Sequence, residues 1–232
     1  MKRLSLILLN AILPMLSWAQ VNLNVGAGSS VSYVQSRHIR SSYHPIIAPN
    51  AIVYLEAPIA KRFSIQSGIG YSFRGYNTTE GENYGDSKYS YDTKTRLQYL
   101  SIPLMLSYKA MEWCKGKLWV DGGMNYSIFM GGKTVHDYSN YKGDVLVERT
   151  TITYRVKGRI APSKYGPAID VYDVDALDVA CKLQLRYVWK DKYTISVYHE
   201  HSLYDMRVKT DEAGPSTLSM RNTGIGVAYR LF

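Results

Sequence analysis

The feature that most constrains this chain is an alternation of apolar and polar residues that recurs in eight segments. In the fourth segment, for example, Leu100, Ile102 and Leu104 alternate with Ser101 and Met105. Successive side chains of a β-strand point to opposite faces, so a period of two predicts a strand with one apolar and one polar face. The segments cover approximately residues 21–33, 50–57, 62–74, 99–108, 117–130, 177–187, 193–200 and 224–231. Helical periodicity is almost absent after residue 20, which predicts an all-β fold.

The composition of the two faces decides between a soluble barrel and a membrane barrel, because both alternate. The polar face combines Gly, Ser and Asn with charges of both signs, and the apolar face has no charge in the middle of any segment. A charge facing the bilayer midplane costs about 2–4 kcal/mol, which explains its exclusion. We therefore predict that the apolar face contacts lipid and that the polar face fills the lumen. The polar-face charges are Glu56, Arg74, Asp121, Asp178, Lys182, Arg186, Glu200 and Arg230.

These eight charges predict a structural plug of ion pairs, since a barrel of about eight strands is narrow enough for side chains to fill it. A narrow gated pore is the functional alternative.

The connections between segments alternate in length. Short links at residues 58–61, 110–116 and 189–192 alternate with long links at 34–47, 76–94, 131–171 and 205–216. This is the arrangement of an outer-membrane barrel with periplasmic turns and extracellular loops. We predict a single antiparallel up-and-down transmembrane β-barrel of about eight strands. Thr151, Thr153 and Arg155 also alternate with apolar residues, so part of the third long link could extend the wall or add a hairpin, and ten strands is the alternative.

Pro103 lies inside the fourth segment although proline lacks a ladder donor. Prolines in sheets are usually found at edges or bulges, so we predict a bulge there.

The N-terminus has the pattern of an export signal. Lys2 and Arg3 precede an apolar stretch over residues 4–16, and Ser17-Trp18-Ala19 supplies small residues for a signal peptidase. We predict that residues 1–19 are a signal peptide cleaved before Gln20 and that residues 20–232 form one barrel domain. After residue 20 there is no run of 18 apolar residues, which argues against helical membrane spans. The predicted location is the outer membrane of a Gram-negative bacterium.

The sequence contains no motif that indicates an enzyme or a cofactor. No strand-to-helix nucleophile elbow is present, and catalytic residues, metal ligands and cofactors are all predicted to be absent. His199 and His201 share one face, but that face is the lipid side near the rim. An enzyme with catalytic groups gathered at the outer rim remains an alternative. The formal net charge of +9 is dispersed along the chain, so nucleic-acid binding is not expected.

The third long link carries a basic stretch that could hold lipid A phosphates or an acidic partner. Its residues are Arg149, Tyr154, Arg155, Lys157, Arg159, Lys164 and Tyr165. An ordinary solvated loop is the alternative. The link over residues 76–94 contains four tyrosines and resembles a contact surface.

Three strand motifs carry a family resemblance. The stretch Tyr99-Leu100-Ser101-Ile102-Pro103, the stretch at residues 120–126 (VDGGMNY) and the terminal stretch at residues 224–232 (GIGVAYRLF) resemble strands of the PorT-like outer-membrane β-barrel family of Bacteroidota. The resemblance implies the fold and the membrane, and some members are linked to protein secretion. By the same resemblance, Tyr229 and Phe232 form an insertion signal for the barrel-insertion machinery.

The predicted function is that of an integral outer-membrane barrel with a structural or accessory role. Its predicted contacts are outer-membrane lipid and lipopolysaccharide, together with a possible envelope or secretion protein bound through the extracellular loops. A small porin and a rim-located lipid-modifying enzyme are the alternatives.

Overall fold

A computed structural model describes residues 21–36, 42–113, 115–159, 174–203 and 218–232, which form twelve strands. The strands are β1 (Asn22–Ser36), β2 (Ser42–His44), β3 (Ile46–Ala60), β4 (Phe63–Tyr84), β5 (Ser87–Trp113), β6 (Gly116–Lys142), β7 (Val145–Val156), β8 (Gly158–Arg159), β9 (Val174–Asp175), β10 (Leu177–Trp189), β11 (Tyr193–Ser202) and β12 (Leu218–Arg230). In these ranges no helix is long and apolar enough to cross a membrane. The predicted signal peptide lies outside the described residues.

Eight of the strands close into an antiparallel ring. Around the ring they follow the order β10, β11, β12, β1, β3, β4, β5 and β6, and β6 pairs again with β10. The first and last strands are joined from Asn24 opposite Arg230 to Ser36 opposite Leu218. Closure gives the backbone groups of every ring strand a partner on both sides, as a bilayer requires. The prediction of eight strands is confirmed, and ten is not the barrel count.

Three strands continue far beyond the ring at the end opposite the short turns. β4 has 22 residues, and β5 and β6 have 27 each. The lower part of β6 pairs with β10, whereas its upper part pairs with β7. We call the upper part the projecting sheet: β2, residues 75–84 of β4, 87–98 of β5, 131–142 of β6, and β7.

The projecting sheet corrects the prediction of a loop at residues 76–94, and it confirms the alternative that part of the third long link extends the wall and adds a hairpin. Residues 76–94 and most of residues 131–156 are paired strands and not loops, with turns only at Gly85-Asp86 and Gly143-Asp144. Both turn glycines have φ near +60°, a conformation that glycine adopts without steric cost. Tight turns of this kind hold the two strands of each hairpin in register.

The two faces of the barrel wall have the predicted composition. Leu104, Leu183 and Ile225 point outward and are about half exposed or more. Ser101 and Asn125 point inward and are buried. The same division holds around the ring, so the apolar residues face outward and the polar residues fill the lumen.

The predicted bulge at Pro103 is wrong. The β4–β5 register is the same on either side of it, from Ser67 opposite Leu104 to Gly70 opposite Ser101. The ladder omits only the pairings between these positions, since proline lacks a donor. One bulge of β5 and β6 lies instead between Gln98 and Tyr99, where the barrel wall passes into the projecting sheet.

Candidate functional site

The lumen near the short turns is closed by a network that we call the short-turn network: Glu56, Asp121, Arg186 and Arg230. Arg186 Nε lies 2.5 Å from Asp121 Oδ2, and Arg186 Nη2 lies 3.3 Å from Glu56 Oε1. Arg230 Nη2 adds a contact with Glu56 Oε2 at 3.5 Å. The Arg186 and Asp121 side chains are each 1% exposed and that of Glu56 is 4% exposed, so the charges are compensated inside the protein.

Neutral groups complete the short-turn network. Ser64 Oγ donates to Glu56 Oε1 at 2.8 Å. The amide of Gln66 lies 2.5 Å from Ser107 Oγ, and with its oxygen on that side it also accepts from Arg186 Nε at 3.2 Å. Buried carboxylates and guanidinium groups are stable only when their remaining donors and acceptors are also satisfied.

A second network, the projecting-end network, lies at the other end of the lumen and consists of Arg74, Asp178, Lys182 and Glu200. Arg74 Nη1 lies 2.6 Å from Asp178 Oδ2, and Arg74 Nη2 lies 3.5 Å from Glu200 Oε2. Lys182 Nζ donates to Glu200 Oε1 at 2.9 Å. The Arg74 guanidinium also stacks over the Tyr99 ring at 4.8 Å. All eight polar-face charges identified in the sequence therefore lie in one of two networks.

A small cavity separates the two networks. Its volume is about 80 Å³, and polar groups such as Asn50, Ser101 and Tyr198 line it. Asn50 Nδ2 donates to Tyr198 Oη at 2.8 Å. A space of this size and polarity suits a few water molecules.

An apolar layer closes the lumen above the projecting-end network. Its members are Val34, Leu97, Tyr99, Val156, Val174 and Met220, all at most 6% exposed, with Tyr43, Tyr76 and Phe129 against them. The sequence reasoning missed this layer. Leu97 and Tyr99 lie on the same face of β5 as Ser101, which could have indicated them. Val156 lies in the third long link and Val174 just after it, outside the eight alternating segments.

The described residues of the predicted basic patch lie on both faces of β7 and just beyond its end. Arg149 and Arg155 are exposed on the outward face of β7, whereas Tyr154 is on the other face, with its ring 5.4 Å from that of His136. Lys157 is exposed just below Arg155. Arg159 is described only as part of β8, and Lys164 and Tyr165 lie outside the described residues.

Four tyrosines do form a shared surface on the projecting sheet. Tyr91 and Tyr138 face each other with ring centroids 5.3 Å apart. Tyr89 lies 6.0 Å from Tyr138 and 5.9 Å from Tyr84. Of the tyrosines predicted for this segment, Tyr76 instead packs against the apolar layer.

The outward face of the projecting sheet carries an ion pair. Asp137 accepts from Thr151 Oγ1 at 2.7 Å and from Lys94 Nζ at 3.2 Å. The Thr151 hydroxyl, and then Lys94, hold the pKa of the Asp137 carboxyl below its ordinary value.

The residues predicted as the insertion signal lie at the short-turn end. The Tyr229 ring is 5.4 Å from the Tyr193 ring on the outward face. Phe232 is exposed and lies past the last residue of β12, although its carbonyl still accepts from Leu23 N at 2.9 Å.

His199 is exposed and His201 half-buried, and Nδ1 of His199 lies 2.8 Å from Thr223 Oγ1. Across the described strands, no three His, Cys, Asp or Glu side chains are grouped closely enough to hold a metal ion.

Several solved structures show similarity to this chain. Ail of Yersinia pestis is 12% identical, with 90% of this chain and 98% of Ail covered and a TM-score of 0.39. Neisserial surface protein A is 8% identical over 90% of this chain and 97% of its own, with a TM-score of 0.41. OprG from Pseudomonas aeruginosa is 9% identical over 90% and 95%, with a TM-score of 0.40.

No curated protein matches the sequence. Residues 18–206 match the family described as the outer membrane protein beta-barrel domain. The chain therefore belongs to this outer membrane β-barrel family, whose members lie in the outer membrane of Gram-negative bacteria.

Proposed function

We propose that this protein is a non-conducting outer-membrane barrel with a structural or accessory role, which binds a partner protein or an envelope lipid through the projecting sheet. The observation that carries the proposal is the closure of the lumen at three successive levels: the short-turn network, the projecting-end network and the apolar layer. A pore needs a continuous open path for water and ions, and the side chains of these three levels fill the lumen. The surface left for binding is outside the barrel.

The length of the projecting sheet supports a binding role. Residues 87–98 of β5 extend beyond the ring and span about 40 Å of strand at about 3.4 Å per residue. A purely structural barrel needs only short connections, whereas this chain builds five paired strands above the membrane. Rigid strands also hold side chains in fixed positions, which favours recognition over simple solvation.

The finer assignments rest on sequence patterns. We propose that the chain is PorT-like, of the type found in Bacteroidota, and that its partner is an envelope or secretion protein. We also propose that residues 1–19 are removed as a signal peptide and that Tyr229 and Phe232 present the chain to the barrel-insertion machinery. We propose no enzymatic activity, since the sequence has no nucleophile-elbow motif.

Planar-bilayer recording of the purified protein tests the closed lumen. We expect no stable conductance from the wild type, and stable steps from a variant in which Leu97, Tyr99, Arg74 and Arg186 are all replaced by serine, so that all three levels are opened. A Lys88→Ser variant changes the outward face only and is the matched control. Stable, sizeable conductance of the wild type would instead identify a small porin.

Photo-crosslinking in intact cells tests the binding role. A photoreactive residue at Tyr91 on the projecting sheet should capture a defined partner, and the same residue at Leu183 on the barrel wall should capture only lipid. Equal products from both sites would contradict the proposal. Turnover of a labelled phospholipid or lipopolysaccharide by the purified protein would favour the rim-located enzyme.

A further inference from the structure

Three basic residues lie side by side on adjacent strands at the base of the projecting sheet. Arg96 of β5 is directly opposite Lys133 of β6, and Lys133 is directly opposite Arg155 of β7. We call these three residues the basic row. Strands in a sheet are about 4.8 Å apart, so three positive charges occupy a line of about 10 Å. Like charges directly opposite each other are destabilising unless an anion lies between them.

The basic row is on the outward face of the wall. The neighbours of each residue along its strand point inward: Leu97 is fully buried, Thr134 is 1% exposed and Val156 is 2% exposed. Side chains alternate along a strand, so the row points away from the lumen. Lys133 and Arg155 are exposed, and Arg96 is half-buried.

The row carries uncompensated charge within the described part of the chain. Lys133 and Arg155 form no ion pair with a described residue. Two other bases on this face, Lys94 and Arg149, share Asp137 at 3.2 and 4.0 Å. Arg96 is held in place by neutral acceptors, since its Nη1 donates to Asn77 Oδ1 and to the Thr95 carbonyl at 2.9 Å each. One guanidinium is thus fixed in position without being neutralised.

The position of the row identifies the source of the anion. Immediately below it on the outward face, Leu100, Ile128 and Met130 begin the apolar band, and Ile128 and Met130 are 42% and 57% exposed. An amphiphile at this point would place its acyl chains against the band and its headgroup against the row. Lys157 is exposed two residues beyond Arg155, toward the band.

We infer that the basic row binds the phosphate groups of an outer-leaflet glycolipid of the lipid A class. Guanidinium and ammonium groups form strong charge-assisted hydrogen bonds with phosphate, and the fork of an Arg side chain can bind two phosphate oxygens at once. The inference deepens the proposed function. It rests on that proposal in one respect, the use of the projecting sheet as the binding surface. It assigns a ligand class to the base of that sheet, including Arg96 and Lys133, which the sequence patch did not contain.

Native mass spectrometry of the detergent-purified full chain with diphosphorylated lipid A tests the site. Each of the variants Lys133→Gln and Arg155→Gln should bind lipid A about fivefold more weakly, and the double variant about 25-fold more weakly, as expected for roughly additive surface charges. Lys133→Arg keeps the charge and should retain binding. Lys88→Gln is the matched control, because it removes a charge from the same outward face about 26 Å of strand above Arg96.

Three results would overturn the inference. The double variant could bind as tightly as the wild type while keeping the heat-dependent gel shift of a folded barrel. Lipid A without phosphates could bind as tightly as the diphosphorylated form. Inorganic phosphate in millimolar excess could displace the lipid, which would make this a site for free phosphate. None of these results would affect the conductance test, so the two proposals fail separately.

Discussion

Replacing Arg186 by methionine should destabilise the barrel more than any exposed substitution, because one side chain neutralises two buried carboxylates. Its guanidinium lies 2.5 and 3.1 Å from the two oxygens of Asp121 and 3.4 and 3.3 Å from those of Glu56. After the change, Glu56 keeps Ser64 and a 3.5 Å contact with Arg230. Asp121 is left without a cationic partner among the described residues.

The magnitude follows from the charge that remains. Removing one partner of a buried ion pair typically costs about 3–5 kcal/mol, because the other charge stays buried without compensation. The free energy of unfolding should therefore fall by about this amount. A triple variant that adds Glu56→Gln and Asp121→Asn removes both charges, and its cost should fall to about 1–2 kcal/mol, the range for lost neutral hydrogen bonds.

Urea unfolding of the protein in lipid vesicles measures these changes, with tryptophan fluorescence and heat-dependent gel mobility as independent probes. The midpoint should shift while the slope stays constant, which keeps the comparison two-state. Arg149→Met is the control, since Arg149 is exposed and only 4.0 Å from its partner carboxylate. If the triple variant is as unstable as Arg186→Met, the loss is due to packing and the reasoning from charge is refuted.

Other predictions test the crowding of the lumen, the orientation of the wall and the projecting sheet. Gly123→Ala should lower the free energy of unfolding by about 1–3 kcal/mol in the same urea assay, because the added Cβ would lie 2.1 Å from the Leu104 carbonyl oxygen. Gly122→Ala places its Cβ in open space and should be neutral or slightly stabilising. Leu183→Arg places a charge in the apolar band and should cost about 2–4 kcal/mol in vesicles, and an unchanged midpoint would contradict the membrane orientation. The pKa of Asp137 is lowered in the folded protein, so its stabilising contribution is complete above the ordinary value of 3.8 and is lost as pH falls through the lowered value. Amide exchange of β6 and β7, corrected for intrinsic rates, should therefore accelerate below pH 3.8 in the wild type and change less in Asp137→Asn.

The barrel wall was predictable because two physical requirements act on every residue of it. A side chain such as Leu104 faces lipid and must be apolar, while Ser101 on the other face of the same strand points into a narrow lumen that favours small or polar residues. The alternation of apolar and polar residues in the sequence follows from these two requirements. Proline at 103 shows the limit of the argument, because a missing donor was accommodated by an interrupted ladder and needed no bulge.

The projecting sheet was not predictable in the same way. Above the membrane both faces of a strand meet water or other polar groups, so a paired strand such as residues 87–94 has tyrosines on its less polar face and lacks the aliphatic face that marks the barrel wall. Its pairing depends on backbone hydrogen bonds and on the tight turn at Gly85-Asp86. A glycine followed by an aspartate between tyrosine-rich segments indicates such a turn, but a long loop contains the same residues.

The charges of the lumen were predictable by face but not by partner. Arg74 and Asp178 are 104 residues apart in the sequence, and they meet only because β6 pairs with β10 and closes the ring. The basic row has the same origin, since Arg96, Lys133 and Arg155 become neighbours through two hairpin registers. Pairwise contacts of this kind are properties of the topology.

The two arginines at the centres of the networks also explain how a barrel in lipid fixes its cross-section. In the ring order, β3 is four strands from β10 and β4 is four strands from β11, so Arg186 with Glu56 and Arg74 with Glu200 each span the lumen between opposite walls. Lipid tails surround the outward side chains equally and favour no particular shape. Directional contacts across the lumen, together with the close backbone approach at Gly123, therefore carry the specificity that a hydrophobic core supplies in a soluble domain.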